Sequence, residues 1–348
     1  NARDVFRYQE YQGEVVSDSA DKKQVRFTGY GKSGIFANVQ IVKTYTLTAS
    51  SSTLAVDYMI TNGLDNVVPL NYGYWMLGGF QSQNGFQRLV PGLYGVEQDS
   101  SGAKQFATRD LSSGWFGALD GDLGLAVIAP FELLKEVYFW GGNPYNGTVE
   151  CKLGVYPIKA GEALAFRLAL CPFNGIGVPS KVNELMAGSL GLEPEYAAAP
   201  EKLTLKLRFF TPGQYTLRLS EGLLQDGKVE FSPGRTEALP VGNSASLDYT
   251  LQAKAGTVVV KAEVLAGDQV VFAMEGSSAL GKSSGNYKLT PDGEQKPDAS
   301  AAQDKPDLDF HSLEVQTEHF DWAKPYAGGR PKVLAINGVY GGIRDLIE

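Results

Sequence analysis

The chain is poor in residues that move protons or bind metals. It has two histidines, His311 and His319, and two cysteines, Cys151 and Cys171, in 348 residues. Histidine-based acid–base chemistry is therefore excluded from everything before His311. A zinc site of the usual His and Cys types is excluded from the same stretch. The two histidines lie eight positions apart in an irregular segment, where structural or solvent-exposed roles are expected. No metal and no cofactor is predicted.

Aromatic residues are the more promising chemistry. Three of the four tryptophans, Trp75, Trp115 and Trp140, fall in the first half of the chain. Each sits in an aromatic, glycine-rich neighbourhood: Tyr72-Gly73-Tyr74-Trp75, Trp115-Phe116-Gly117, and Tyr138-Phe139-Trp140-Gly141-Gly142-Asn143-Pro144-Tyr145. Sugars stack their C–H faces on aromatic rings while nearby amides and carboxylates bind hydroxyls. Tyr72, Tyr74, Trp75, Trp115, Trp140, Asn143 and Tyr145 are therefore the candidate carbohydrate-binding residues. The competing reading is core, because aromatics in strands bury large apolar area. Glu97, Asp99, Asp110, Asp120, Asp122, Glu132 and Glu136 lie near these clusters. A glycosidase would need two such carboxylates across the scissile bond, and spacing in sequence does not supply that distance. Asp120 and Asp122 read as hairpin-turn residues, and Glu132 and Glu136 as a solvated face. Asn146-Gly147-Thr148 is an N-glycosylation acceptor pattern.

The cysteines leave two readings open. They are equidistant from Gly161 in the turn Lys159-Ala160-Gly161-Glu162. If Gly161 is the apex of one antiparallel hairpin, they face each other closely enough for a disulfide. Otherwise they are two separate buried thiols.

Strand periodicity supplies the framework for these residues. Leu54, Val56, Tyr58 and Ile60 alternate with Ala55, Asp57, Met59 and Thr61, a half-buried strand. Further strands are predicted at 23–29, 71–77, 86–90, 114–119, 123–129 and 137–140. Asp120-Gly121 joins two of them as a hairpin. So many short strands predict a large two-sheet sandwich over residues 1–187. Ser180 and Gly188 read as the caps of a short helix over 181–187, and 188–200 as a linker. Residues 201–290 predict a smaller, immunoglobulin-like sandwich, with Leu203, Leu205, Leu207 and Phe209 alternating. Residues 291–330 read as a linker or strap. Residues 331–348 read as the start of an α/β domain: a short apolar strand, a turn with Gly338, Gly341 and Gly342, and a helical pattern. The glycines read as a tight turn, since they do not match a phosphate-binding fingerprint.

The fold class is thus mainly β. Hydrophobic residues make up 43%, enough for full cores, and the net charge is −8. That acidity argues against nucleic acid and against an anionic membrane surface. No apolar run approaches the length of a spanning helix. The first residue is Asn1 rather than Met. A removed leader or a fragment is expected, as is continuation beyond Glu348.

The stretch 43–62 and the 115–128 hairpin resemble the galactose mutarotase-like supersandwich. That fold occurs in aldose epimerases and as an ancillary domain of several glycoside hydrolases and polysaccharide lyases. The resemblance covers about residues 1–185 and implies a carbohydrate-associated role. Epimerase members use histidine and a glutamate for proton transfer; this domain has no histidine, so epimerase activity and its catalytic residues do not carry over. Residues 331–345 similarly resemble the first strand and turn of a flavodoxin-like or class I glutamine-amidotransferase-like domain.

Three functional readings follow. The first is a non-catalytic, carbohydrate-associated region of a larger secreted or cell-surface bacterial protein, binding oligo- or polysaccharide. The second is a glycoside hydrolase or polysaccharide lyase using carboxylates in the supersandwich groove. The third is a self-associating surface-layer or filament protein.

Overall fold

The structure is a computed structural model. It describes residues 10–32, 36–70, 74–81, 86–92, 95–99, 105–143, 146–154, 156–193, 202–225, 227–252, 256–280, 287–289 and 295–297. The strands run in chain order from β1 (Gln12–Asp18), β2 (Lys22–Tyr30), β3 (Val39–Thr48) and β4 (Leu54–Asn62) to β5 (Val68–Leu70) and β6 (Tyr74–Gln81). Then come β7 (Gln87–Gly92), β8 (Gly95–Asp99), β9 (Gln105–Thr108), β10 (Trp115–Asp120) and β11 (Leu123–Ile128). After a short 3-10 turn, Phe131–Leu133, follow β12 (Leu134–Asn143), β13 (Asn146–Leu153), β14 (Tyr156–Ile158) and β15 (Ala163–Asn174). A second group comprises β16 (Lys181–Val182), β17 (Met186–Glu193), β18 (Lys202–Phe209), β19 (Thr216–Gln225) and β20 (Lys228–Phe231). It ends with β21 (Arg235–Ala238), β22 (Ser244–Thr250), β23 (Gly256–Ala266) and β24 (Gln269–Leu280). The mainly β class expected from the sequence is what the chain adopts.

The chain divides into two compact units, Asn1–Ser283 and Ser284–Glu348. Within the second, the described residues form one short hairpin, β25 (Tyr287–Leu289) with β26 (Gln295–Pro297). His311, His319 and residues 331–348 lie outside the described residues.

The first unit holds a nine-stranded sheet in the order β1-β2-β3-β4-β15-β11-β10-β7-β8. Facing it is a four-stranded sheet, β6-β13-β12-β9, and β14 pairs with β5 at the side. Alternation decides which side chains fill the space between the sheets. Val56, Tyr58 and Ile60 of β4 and Leu164, Phe166 and Leu168 of β15 point inward, against Val137 and Phe139 of β12 and Val149 and Cys151 of β13. Tyr58 and Phe166 are register partners whose rings stack at 4.9 Å. Asn62 closes the end of β4. Its fully buried side chain donates to the Asn66 and Ile158 carbonyls and accepts from the Leu64 amide, so its polar atoms are hydrogen-bonded despite burial.

A second sandwich packs β16-β17-β18-β22 against β20-β19-β23-β24, with β21 beside β19. Leu203, Leu205, Leu207 and Phe209 face Leu217, Leu219, Val260 and Phe272. Residues 181–187 are not the expected helix but the hairpin β16–β17. Asn183 makes the turn, its Oδ1 accepting the Leu185 and Met186 amides at 3.0 Å. That side-chain turn outcompetes the helix suggested by Ser180 and Gly188. The segment from 188 is likewise not all linker, since β17 pairs with β18 in register from Met186↔Phe209 to Glu193↔Lys202.

The two sandwiches share an apolar seam. Leu89, Trp115, Ala126, Ala169, Cys171 and Phe173 lie on the outer face of the nine-stranded sheet and are buried with Ile176, Val182, Ala187 and Phe210. Hydrogen bonds stitch the margin: Ser52 N–H donates to the Phe210 carbonyl at 2.8 Å and Thr53 Oγ1 to the Glu184 carbonyl at 3.3 Å. β10, with 126–128 of β11 and 168–171 of β15, is therefore covered on both faces.

The seam predicts one cooperative body. Phe210→Ala should cost about 3–5 kcal/mol by leaving a cavity. In urea denaturation followed by tryptophan fluorescence, the midpoint should fall while a single transition persists. An unchanged midpoint would mean that the seam contributes nothing.

Candidate functional site

The expected hairpin joining the cysteines does not form. Gly161 is at a turn apex, with φ of 72° and the Glu162 amide donating to the Lys159 carbonyl. Its arms, however, belong to different sheets: β14 pairs with β5, whereas β15 runs between β4 and β11. Cys151 lies in the four-stranded sheet and Cys171 in the nine-stranded sheet, opposite Ala126. Both are free and buried. Burial, reinforced by the Glu150 carboxylate, pushes the Cys151 thiol up to about 12. Burial pushes Cys171 up to about 12 against the opposing effect of its Thr53 hydrogen bond. The reactive thiolate is scarce at such values.

The aromatic candidates separate into distinct environments. Trp115 is 2% exposed and belongs to the seam, so it is not available to a glycan. Trp140 is 40% exposed. It lies on β12, where Val137 and Phe139 point into the core and Tyr138 and Trp140 alternate onto the solvent face. Tyr74 and Trp75 are neighbours on β6, in register with Lys152 and Cys151 respectively. Asn143 ends β12 opposite Asn146, which begins β13 and the glycosylation pattern. Tyr72 and Tyr145 lie outside the described residues.

Register assembles a polar surface around Trp140. Across one side of β12, Trp140 pairs with Thr148 and Tyr138 with Glu150. On the other side, Trp140 pairs with Gln105 and Tyr138 with Ala107 of β9. Directly opposed residues share a sheet face. Gln105, Trp140 and Thr148 thus make one row, and Ala107, Tyr138 and Glu150 the next. Thr148 Oγ1 donates to Glu150 Oε1 at 2.7 Å, which orients that carboxylate. Partial burial and then the Glu150 carboxylate hold the Tyr138 hydroxyl above its ordinary range, so it stays protonated as a donor. Beyond β13, Gly79 is the residue paired with Thr148.

Several expected carboxylates have structural work. Glu136 is not on the expected solvated face; it is buried on β12 and accepts from Arg109 Nε at 2.9 Å. Asp99 binds Arg88 at 2.7 Å, whose guanidinium lies 5.9 Å from both the Phe86 and Phe106 rings. Asp122 accepts the Gly175 amide and ties the β10–β11 turn to the end of β15. Among the described residues there is no group of three or more His, Cys, Asp or Glu able to hold a metal ion, and no helix long and apolar enough to cross a membrane.

Tyr138, Thr148 and Glu150 were absent from the expected site. Their signal was present as the alternations Tyr138-x-Trp140 and Thr148-x-Glu150, which put polar and aromatic groups on the same solvent face once the two strands pair.

No family model and no curated protein sequence matches the chain. Among solved structures it is similar to the Slr1438 protein of Synechocystis sp. PCC 6803, at 13% identity over 47% of this chain and a TM-score of 0.38. It is also similar to a putative aldose 1-epimerase of Klebsiella pneumoniae, at 14% identity over 47% of this chain and a TM-score of 0.35. A third is the GH36 α-galactosidase AgaA of Geobacillus stearothermophilus, at 8% identity, 47% coverage and a TM-score of 0.36. The alignments span 66%, 54% and 27% of those three proteins' own lengths. The functional reading therefore rests on this chain's own residues.

Thiol titration with a chromogenic disulfide reagent checks the cysteine assignment. The native protein should release almost no signal at pH 8, and two thiols should react after unfolding without reductant. A reading of no thiols after unfolding would restore the disulfide.

Proposed function

We propose that this chain is a carbohydrate-associated β region that contacts oligo- or polysaccharide through the outer face of its four-stranded sheet, without performing catalysis there. The observation that carries the reading is Trp140, 40% exposed between Gln105 and Thr148 and beside Tyr138 and Glu150. An indole on a flat sheet face offers a platform for the C–H side of a pyranose. Amide, hydroxyl and carboxylate groups around it can hydrogen-bond the ring hydroxyls, and hydrogen bonds to a charged acceptor such as Glu150 are the stronger kind. Glu150 already accepts from Thr148, an arrangement that suits a fixed acceptor. In keeping with a glycan ligand, the chain is read as an extracytoplasmic part of a larger bacterial polypeptide. Its second, immunoglobulin-like sandwich would serve as a packing partner.

Trp140→Ala should weaken binding to a responsive glycan on an array by roughly tenfold, about 1.4 kcal/mol, with the thermal melt unchanged. Trp115→Ala is the contrasting variant: it should lower the melting temperature. Glycan binding that is identical in wild type and Trp140→Ala would overturn the proposal.

A further inference from the structure

The nine-stranded sheet carries a hollow of about 590 Å3, lined by residues of β2, β3, β4 and β15. That lies within the roughly 300–1,000 Å3 of ordinary small-molecule sites. Two cross-strand rows form its floor. The first runs Arg26↔Thr44↔Asp57 over β2, β3 and β4, with Arg167 of β15 continuing the row beyond the lining residues. The second, one pleat along, runs Thr28↔Val42↔Met59↔Ala165 over the same strands. One row is rich in hydrogen-bonding groups and the other largely apolar. Met59 is 44% exposed, on the face opposite its buried neighbours Tyr58 and Ile60.

Charge pairing narrows what could lie there. Arg26 binds Glu14 at 2.8 Å, and Arg167 binds Asp57 through two nitrogens at 2.7 and 3.1 Å. Arg167 also reaches Glu184, in the β16–β17 turn of the second sandwich, at 3.7 Å. Each guanidinium is thus matched by carboxylate, so the floor presents oriented donors and acceptors without excess positive charge. A phosphate or uronate would find its cations already neutralised and carboxylates beside them. A neutral sugar chain has what both rows require: hydroxyls for Arg26, Thr44 and Asp57, and C–H faces for Val42 and Met59.

We infer that this hollow is a second saccharide site, selective for uncharged sugar chains and separate from the Trp140 face. The inference rests on reading the chain as glycan-associated. The contact of Arg167 with Glu184 means that the second sandwich holds one end of the polar row in place.

Calorimetric titration of the whole chain tests it, using maltohexaose, cellohexaose and a galactan-derived hexaose as neutral probes and hexagalacturonate as the anionic one. The wild type should bind a neutral probe at two sites per chain. Trp140→Ala should retain one site, Thr44→Trp should retain the other, and the double variant none. Met59→Arg repeats the blockade from an exposed position, in case Thr44→Trp perturbs folding. Stoichiometry unchanged by Thr44→Trp and Met59→Arg, but lost in Trp140→Ala, would overturn the hollow and leave the Trp140 face standing. Binding lost only in the two blocking variants would uphold the hollow and overturn the Trp140 face. Preference for hexagalacturonate at the hollow would overturn its proposed selectivity. No binding of any probe by the wild type would overturn both.

Discussion

The burial of β10, and of 126–128 and 168–171 beside it, on both faces organises the first unit. A sheet in a simple sandwich has one wet face, and its strands alternate accordingly. Here Phe116, Val127 and Leu168 fill the inner core, while Trp115, Ala126 and Ala169, each one residue away, fill the seam to the second sandwich. The second sandwich is consequently a structural wall of the first. Side chains at the seam cannot be polar without a partner, because an unpaired buried polar group costs on the order of 1–3 kcal/mol. The Thr53 hydroxyl meets that demand by donating to Glu184's carbonyl across the junction.

This constraint also divides the outer face of the nine-stranded sheet. β15 enters with an alternating pattern, Ala163, Ala165 and Arg167 outward, and changes at Ala169, where the seam begins. On the open side of that boundary the face becomes polar and hollow. On the closed side it is apolar and dry. Arg167 stands at the border, bonded to Asp57 on its own sheet and reaching Glu184 on the second sandwich. On β12 of the four-stranded sheet Val137 and Phe139 face the core, which leaves Tyr138 and Trp140 on the opposite side.

Much of the framework was legible because alternation is local. Leu54 to Ile60 and Leu203 to Phe209 show their faces in the order of the residues alone. The hairpin at Asp120-Gly121 was legible for the same reason: Gly121 takes φ of 58°, which glycine adopts without strain. The fate of Trp115 was encoded more subtly. The runs 115–119 and 123–128 are nearly continuous in apolar or small residues, the pattern of strands covered on both sides. Read as half-buried strands, they suggested an accessible tryptophan; read as doubly covered ones, they require the seam.

The cysteines and the 181–187 segment show where local reading stops. Equidistance from Gly161 is a statement about one hairpin, but the chain leaves the four-stranded sheet at Gly154 and re-enters the structure in another sheet. No spacing rule contains that switch, because it is set by which sheet each apolar face must cover. The 181–187 segment carried helix-cap residues at both ends, yet Val182, Met186 and Ala187 are all buried, and Met186 and Ala187 point into different cores. Adjacent residues project to opposite sides in a strand, whereas a helix sets them about 100° apart on one cylinder. Only the extended form lets Met186 enter the second sandwich while Ala187 enters the seam, and that demand decides the conformation over the caps.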